Sequence, residues 1–354
     1  MTKQQWRKTW FQVHQWIGLG LAILIIPLSL SGAALVWDEG LDRLIHPSRF
    51  AVSGEQVLNP AAYEAAARVS LGREDRIVSI AKLEAGPVLV VASPPAKPGA
   101  APRRGPPQRT SVYLDPPTAR VLGVASNGSG PIRFLHVLHG SLFVPGWGRT
   151  IVGLIGIAMM LSSFTGLWLW WPIVGKAARG LRWKRHRNTD TNLHYQTGFW
   201  IALPLFVLSL TGAWISFPTL FGGGAPRGRP PMAEPLRQTG LGVDRAAQRA
   251  GGWNKITWPT TKSADWSVEL PGKRSVKVAD DTGALAVVAQ TEQRRGITGL
   301  MRRIHDGTGM GWLWQVIIFV GGLLPALLAV TGVIMWVRAR TWRADLARRQ
   351  ATQA

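Results

Sequence analysis

Four apolar stretches, each about 20 residues long, constrain this 354-residue chain more than any other feature. A helix needs about 20 apolar residues to cross the hydrocarbon core of a bilayer. The sequence between the stretches is polar and rich in Pro and Gly, which is typical of segments outside the membrane. The chain is therefore predicted to cross a membrane four times, with apolar cores at 16–37, 149–171, 198–217 and 313–337.

The basic residues predict the orientation of these helices. They cluster before the first stretch, between the second and third, and after the fourth, which are places on the same side of a four-span chain. The positive-inside rule puts that side in the cytoplasm. Both termini and residues 172–193 are thus predicted to be cytoplasmic. The net charge of +22 is therefore attributed to contact with membrane lipid, and no nucleic-acid partner is expected. The three basic clusters are Lys3, Arg7, Lys8; Lys176, Arg179, Arg182, Lys184, Arg185, Arg187; and Arg338, Arg340, Arg343, Arg348, Arg349.

The order of segments indicates two matching halves, each with a helix, a soluble insertion and a returning helix. Each insertion contains a predicted helix followed by strands, and an acidic turn that predicts a hairpin. The predicted fold class is a membrane all-α four-helix bundle with two periplasmic α+β insertions and an internal two-fold repeat. The predicted boundaries are 1–37 (helix 1), 38–134 (module 1), 135–171 (helix 2), 172–193 (basic loop), 194–217 (helix 3), 218–300 (module 2), 301–337 (helix 4) and 338–354 (tail).

Two absences limit the chemistry that this chain can carry. It has no cysteine, which excludes disulfides, thiolate metal sites, iron–sulfur clusters and haem attached at C-x-x-C-H. It also has no G-x-G-x-x-G after a predicted strand, so no nicotinamide or flavin site is predicted. Any electron donor is expected to be a separate reductase, a soluble flavin or a membrane quinol.

Histidine and small residues recur at constant offsets along the chain. His14 is followed 18 residues later by Gly32, and His194 and Gly212 repeat this spacing at an offset of 180 residues. His139 and Gly166 are repeated by His305 and Gly332 at an offset of 166 residues. Each glycine follows a Ser or Thr: Ser31, Thr165, Thr211 and Thr331.

The spacing predicts two histidine pairs at two depths. At about 1.5 Å per residue, His14 lies about 27 Å from Gly32 along the helix, which is about a membrane thickness. One pair is then His14 with His194, and the other is His139 or His136 with His305. Ionisable groups near the bilayer indicate function, and two pairs suit two b-type haems, each with bis-histidine ligation. The glycines Gly32 and Gly212 are expected beside the outer pair, and Gly166 and Gly332 beside the inner pair, where a flat macrocycle needs space.

Alternatives remain at several of these positions. His136 shares a helical face with His139. Three roles remain open for it, which are the axial ligand, a group beside the ligand, and a proton donor. Zinc is the competing metal, although it requires three or four converging ligands. The glycines also suit ordinary helix contacts in a membrane. His46 and His186 are predicted to be solvated surface groups.

Four segments of the chain resemble the PepSY-associated transmembrane family, which includes bacterial iron-regulated inner-membrane proteins and siderophore reductases. The resemblance implies a bacterial inner-membrane protein with four membrane helices, two haems and electron passage to a periplasmic ferric siderophore. The family's motif histidines correspond to His14, His136 or His139, His194 and His305. The matching segments are WFQVHQWIGLGLAILIIPLSLSG, FLHVLHGSLFVPGWGRTIVGLIG, VYLDPPTARVLG and IHDGTGMGWLWQVIIFVGGLLPALLAVTGVIMW.

The function expected from these residues and this resemblance is reduction of a periplasmic ferric siderophore or chelate. Bis-histidine ligation leaves no open iron position, so electron transfer is favoured over oxygen binding. The main alternative is a non-enzymatic PepSY-type module that binds periplasmic peptides or proteases and is anchored by the helices. A transporter is a third interpretation, which Pro27, Pro204 and Pro325 in the helices favour, but the apolar stretches lack an acidic residue to couple ions.

Overall fold

The computed structural model describes residues 2–95, 108–171, 181–183, 186–220, 233–288 and 296–353. The predicted basic loop 172–193 thus lies partly outside the described residues. Within the described ranges, four helices are long and apolar enough to cross a membrane. They are α1 (Lys3–Leu35), α5 (Gly148–Trp170), α6 (Thr189–Ser216) and α9 (Trp312–Gln353).

These helices form a bundle in which α1 packs against α5 and α9, and α6 packs against the same two helices. Helix α1 begins with a capping box, in which the Thr2 hydroxyl accepts from the Gln5 backbone N–H and the Gln5 side chain accepts from the Thr2 N–H. At the end of α6 that bears His194, Arg338 of α9 donates to Asp190 at 2.6 Å and to Thr191 at 2.8 Å. These contacts tie the basic ends of the helices together. We call the end of the bundle that carries Arg7, Lys8 and Arg338 the basic end.

Two short helices precede α5 and α9 and carry histidines. The range 135–171 contains most of α4 (Pro131–Ser141) as well as α5, and the range 301–337 contains most of α8 (Ile297–Asp306) and the apolar part of α9. Leu142 and Phe143 have positive φ angles between α4 and α5, and Gly307, Gly309 and Gly311 have positive φ angles between α8 and α9. These left-handed residues end each short helix. His139 and His305 therefore lie on separate helices and not at the ends of continuous spanning helices, as the apolar pattern had suggested.

The two insertions share one eight-stranded antiparallel sheet, with strand order β4-β3-β2-β1-β5-β6-β7-β8. The first insertion supplies β1–β4 and the second supplies β5–β8, and the halves join where β1 pairs with β5. The other helices are α2 (Asp38–Ile45), α3 (Pro60–Ser70) and α7 (Val243–Ala250). The strands are β1 (Arg76–Lys82), β2 (Val88–Ser93), β3 (Thr110–Leu114), β4 (Val121–Ser126), β5 (Lys255–Thr257), β6 (Asp265–Glu269), β7 (Ser275–Ala279) and β8 (Leu285–Val288).

The core of the sheet unit draws on both insertions. The largest side chains fully buried in it belong to one cluster with residues of α3 and α7, and they are Trp266, Tyr63, Ile77, Ile80, Leu114 and Ile256. Each half alone would be a small module in which one edge strand, β1 or β5, has no pairing partner. A core shared by the two halves buries more apolar surface than each half could bury by itself. The expected pair of α+β modules is thus a single folded unit.

The two predicted acidic turns are hairpins, and each brings a carboxylate inside the unit. Asp115, after β3, is buried and accepts hydrogen bonds from the Ser53 N–H and hydroxyl and from the Thr118 hydroxyl at 2.5–2.7 Å. Burial opposes its charge, but these hydrogen bonds outweigh burial and hold the pKa of Asp115 below its usual value. Asp280, after β7, accepts from Gly240, Leu241 and the Trp266 indole.

The chain divides into a helical unit and a sheet unit. The helical unit contains 1–38, 135–226 and 295–354, and the sheet unit contains 39–134 and 227–294. Every histidine and glycine predicted to form the cofactor sites belongs to the helical unit. The candidate site is therefore described within that unit alone.

Candidate functional site

Two histidine pairs lie at opposite ends of the bundle. At the basic end, His14 of α1 faces His194 of α6, with ring centroids 6.4 Å apart and ring planes 82° apart. At the other end, His139 of α4 faces His305 of α8, with centroids 6.1 Å apart and planes 37° apart. Helix α1 reaches both pairs, because it carries His14 of the first pair and Gly32, which contacts His139 of the second. These two residues are 18 positions apart, which is about 27 Å along the helix. The structure thus brings the four histidines together as two separate pairs.

The rings are held by the same type of hydrogen bond. Within the described residues each ring has a hydrogen bond at Nδ1, and each ring bonds a backbone carbonyl four residues before one of the four glycines, which for His139, His14 and His305 is the Nδ1 partner. His139 bonds Leu28 at 2.9 Å, His14 bonds Ser162 at 3.1 Å, His305 bonds Leu208 at 3.1 Å, and His194 bonds Leu328.

The hydroxyls beside three of the four glycines support this arrangement. Thr165, Thr211 and Thr331 each place Oγ1 within 2.9–3.1 Å of a histidine Nδ1. Each of these hydroxyls also donates to a carbonyl of its own helix, as does that of Ser31. A hydroxyl that has donated its hydrogen acts as an acceptor toward Nδ1.

These acceptors determine which ring nitrogen carries the proton. A carbonyl requires a donor at Nδ1, and at His14, His194 and His305 the engaged hydroxyl requires one as well, so each neutral imidazole carries its proton there. Its Nε2 then has a lone pair available for a metal. Fixing the tautomer and the ring orientation through Nδ1 is the usual role of groups behind a metal-ligating histidine.

Each glycine allows a histidine ring to approach its helix. A Cβ built on Gly32 would lie 2.6 Å from Cε1 of His139, and the corresponding distances to His305, His14 and His194 are 3.0 Å, 3.1 Å and 3.5 Å from Gly212, Gly166 and Gly332. Gly32 and Gly212 thus lie beside the His139–His305 pair, and Gly166 and Gly332 lie beside the His14–His194 pair. The glycines make the Nδ1 hydrogen bonds sterically accessible.

The ring spacing fits two axial ligands of one metal centre. Two metal–nitrogen bonds of about 2 Å, with about 1.1 Å from each nitrogen to its ring centre, span about 6.2 Å. The observed spacings of 6.4 Å and 6.1 Å are close to this value. Within the described parts of the chain, no group of three or more His, Cys, Asp or Glu residues is placed to hold a bare metal ion. The donor set therefore fits haem better than zinc, which needs three or four protein ligands.

A cavity of about 150 Å³ surrounds the pair at the basic end. It is lined by His14 and His194, mainly by apolar and aromatic side chains such as Trp170 and Phe199, and by three glycines, which are Gly166 and, facing open space, Gly18 and Gly198. A Cβ on Gly18 would have no atom within 4 Å, and one on Gly198 would meet only a side-chain atom of Leu328 at 3.9 Å. The residues present fit an apolar, planar cofactor between two helices.

Gly18 and Gly198 are site residues that the sequence analysis missed. Each lies four residues after a paired histidine and thus on the same helical face. They are related by the same 180-residue offset that relates His14 to His194. That offset was the signal that would have found them.

The remaining histidines lie outside the two pairs. His136 is exposed on α4, one turn before His139. His46 is partly buried and pairs with Asp42 at 2.9 Å, and the half-buried His186 packs on Tyr195 with ring centroids 4.6 Å apart. His46 and His186 are thus partly exposed and not fully solvated as expected, because each contacts a nearby side chain, Asp42 or Tyr195.

The glycine contacts predict a graded effect of adding one methyl group. Gly32→Ala should displace the His139 ring, because the new Cβ would lie 2.6 Å from it. The loss of the bond to Leu28 should lower the free energy of unfolding by about 1–3 kcal/mol and reduce cofactor retention at that end. Gly332→Ala is the matched control, since its Cβ would make an ordinary contact at 3.5 Å. Thermal unfolding in detergent and the haem spectrum measure both effects, and equal behaviour of the two variants would contradict this assignment.

The cavity predicts that a large side chain at Gly18 competes with a cofactor and leaves the fold intact. Gly18→Leu should fold, because open space surrounds the position, and should reduce bound haem from two to about one per chain. Gly20→Leu is the control on the same helix, where a Cβ also meets no atom within 4 Å but lies outside the cavity lining. Haem content and size-exclusion profiles check this, and full haem content in Gly18→Leu would show that the cavity is not the cofactor site.

The comparisons with known proteins bear on the whole chain. A search of curated proteins finds no match. The family described as the PepSY-associated TM region matches residues 11–339, which include all four paired histidines and the whole sheet unit. The match confirms the resemblance seen in the sequence segments, and this chain belongs to the PepSY-associated transmembrane family.

Proposed function

We propose that this protein is a di-haem electron-transfer protein of the bacterial inner membrane that reduces a ferric siderophore or another ferric chelate in the periplasm. The observation that carries the proposal is the presence of two histidine pairs, with ring separations of 6.4 Å and 6.1 Å, at opposite ends of one bundle. Membership of the PepSY-associated transmembrane family supports it.

In this proposal, His14 and His194 hold one b-type haem and His139 and His305 hold the other. When bound, a bis-histidine haem supplies a reversible one-electron couple with no open coordination position. The protein's own contribution is orientation, since each Nδ1 is engaged by a carbonyl of a neighbouring helix and each glycine gives the ring access. The rings therefore lose little freedom when they ligate.

The proposed topology follows from charge. The basic end is proposed to face the cytoplasm, since Arg7, Lys8, Arg338 and Arg340 lie there. The sheet unit is then periplasmic, as is the His139–His305 pair. The matched relations of histidine, hydroxyl and glycine in the two halves support an internal two-fold repeat of the kind known in other membrane proteins.

The proposed direction of electron flow is from the cytoplasmic pair to the periplasmic pair. Electrons come from a separate donor, which is a reductase, a flavin or a quinol. Each ferric ion accepts one electron and becomes Fe(II), for which the hard oxygen ligands of a chelate have lower affinity. Iron is thereby released for uptake. His136, which is exposed beside His139, is proposed to contact the substrate or to supply a proton.

Haem stoichiometry and ligand substitutions test this function. We expect the purified protein to contain two low-spin b-type haems. His14→Ala or His194→Ala should remove the haem at the basic end, and His139→Ala or His305→Ala should remove the other, because each haem has its own histidine pair. Optical spectra with a haem assay provide the count. A colourless wild-type protein would favour the non-enzymatic PepSY module, and loss of both haems from one folded variant would refute two independent sites.

The substrate is tested by mixing the dithionite-reduced protein, freed of excess reductant, with a ferric hydroxamate. Haem reoxidation and Fe(II) capture by ferrozine should proceed together, with up to two Fe(II) formed per chain. The gallium(III) complex of the same chelator is the matched control, since it binds alike but is not reduced. His136→Ala should keep both haems and reoxidise more slowly, with an altered pH dependence. Loss of a haem in His136→Ala, with retention in His139→Ala, would reverse their roles.

A further inference from the structure

A second pocket adjoins the cavity of the His14–His194 pair at the basic end. Its volume is about 280 Å³, and it is lined by Gln4, Arg7, Lys8, Phe11, Leu169 and Tyr195. Three of these residues, Phe11, Leu169 and Tyr195, also line the histidine cavity. The apolar cavity therefore lies next to a pocket that contains two cationic side chains, which we call the Arg7–Lys8 pocket.

Arg7 is fixed in this pocket by the end of a neighbouring helix. Its guanidinium donates to the carbonyl of Trp171 at 3.0 Å and to the carbonyl of Leu169, both at the C-terminal end of α5. These carbonyls lack partners within their own helix and favour a cation. A guanidinium has five N–H groups, so Arg7 retains donors for a further anion.

The distance from Arg7 to His14 matches the size of a porphyrin. The two residues are seven apart on α1, which is two turns on one face and about 10.5 Å along the axis. That is comparable with half a porphyrin plus one carboxylate side chain. Lys8 is exposed and lies on the same pocket wall. Neither lining includes an acidic side chain among the described residues.

The carboxylates of a b-type haem need such a pocket. Its macrocycle is apolar, but it carries two propionates, and an uncompensated charge in an apolar cavity is costly. A haem in the histidine cavity therefore favours the orientation that directs its carboxylates out of that cavity, toward cations. Charge-assisted hydrogen bonds from Arg and Lys to carboxylates are short and strong.

We propose that the Arg7–Lys8 pocket binds the propionate carboxylates of the haem held by His14 and His194, and so fixes the orientation of that haem with its carboxylate edge toward the basic end. This inference rests on the proposed function, since it requires a haem in the cavity. The phosphate of a reduced flavin nucleotide carries similar anionic chemistry, and the experiment separates the two ligands.

The test compares native haem with haem whose two carboxylates are esterified, in full-length protein. The variants are Lys8→Gln, Arg7→Lys and Arg7→Gln, with Arg343→Gln as the control, because Arg343 is an exposed cation outside both pockets. Release of haem to excess apomyoglobin measures retention. With native haem, Lys8→Gln should release the haem of the His14–His194 pair about tenfold faster than wild type, and Arg343→Gln should not.

With esterified haem, the variant and the wild type should release haem at the same rate, because neither protein then has a charged carboxylate for Lys8 or Arg7 to bind. Arg7→Lys should lie between wild type and Arg7→Gln. Because Arg7 also caps α5, the result for Arg7→Gln is interpreted only if that variant folds. Lys8→Gln provides the independent test, because the native Lys8 side chain makes no hydrogen bond among the described residues.

Three outcomes would overturn the proposal. One is unchanged release of native haem from Lys8→Gln and Arg7→Lys, and another is equal acceleration with native and esterified haem. The third is unchanged haem retention with slower reduction by reduced flavin mononucleotide, which would assign the pocket to the electron donor. Absence of haem from the wild-type protein is a separate result, since it defeats the proposed function itself.

Discussion

The helical unit depends on one repeated contact, in which a histidine Nδ1 approaches a backbone carbonyl four residues before a glycine of another helix. The contact occurs at His14, His139, His194 and His305. It joins α1 to α5, α4 to α1, α6 to α9 and α8 to α6. Helices in lipid gain no hydrophobic driving force from association, so small residues and interhelical hydrogen bonds determine their packing. The four contacts therefore organise both the bundle and the imidazoles within it.

The same contact converts a structural requirement into a chemical one. A partly buried imidazole needs a partner for its N–H, and here the partner is a carbonyl, joined at His14, His194 and His305 by an already engaged hydroxyl. The other ring nitrogen keeps a lone pair that can bind a metal, and the partner ring lies at a separation that suits two ligands of one metal centre. A glycine next to the hydroxyl is required because a methyl group would occupy the ring's position, most severely at Gly32. Packing and preparation for ligation are thus produced by the same residues.

The sheet unit solves a different problem, which is the limited core of a small module. Four strands from each insertion would leave β1 and β5 as unpaired edges, and their pairing turns two edges into the centre of one sheet. The turns at Asp115 and Asp280 show that the two halves use similar loop chemistry, since each carboxylate accepts a hydrogen bond from at least one backbone N–H of a preceding segment. The shared core then includes side chains from both insertions, such as Tyr63 and Trp266.

The sequence alone determined the axial order of this molecule. The apolar lengths indicated four spanning helices, and the offsets of 180 and 166 residues put four histidines and four glycines at matched levels, because helical rise is constant. Lateral relations required the tertiary structure. The break that separates α4 from α5 and α8 from α9, the joining of two modules into one sheet, the cavity beside Gly18 and Gly198, and the position of Arg7 on the end of α5 all depend on which helix faces meet. A linear pattern specifies the level of a residue along a helix, but its neighbours across the bundle are decided by packing between segments distant in the chain.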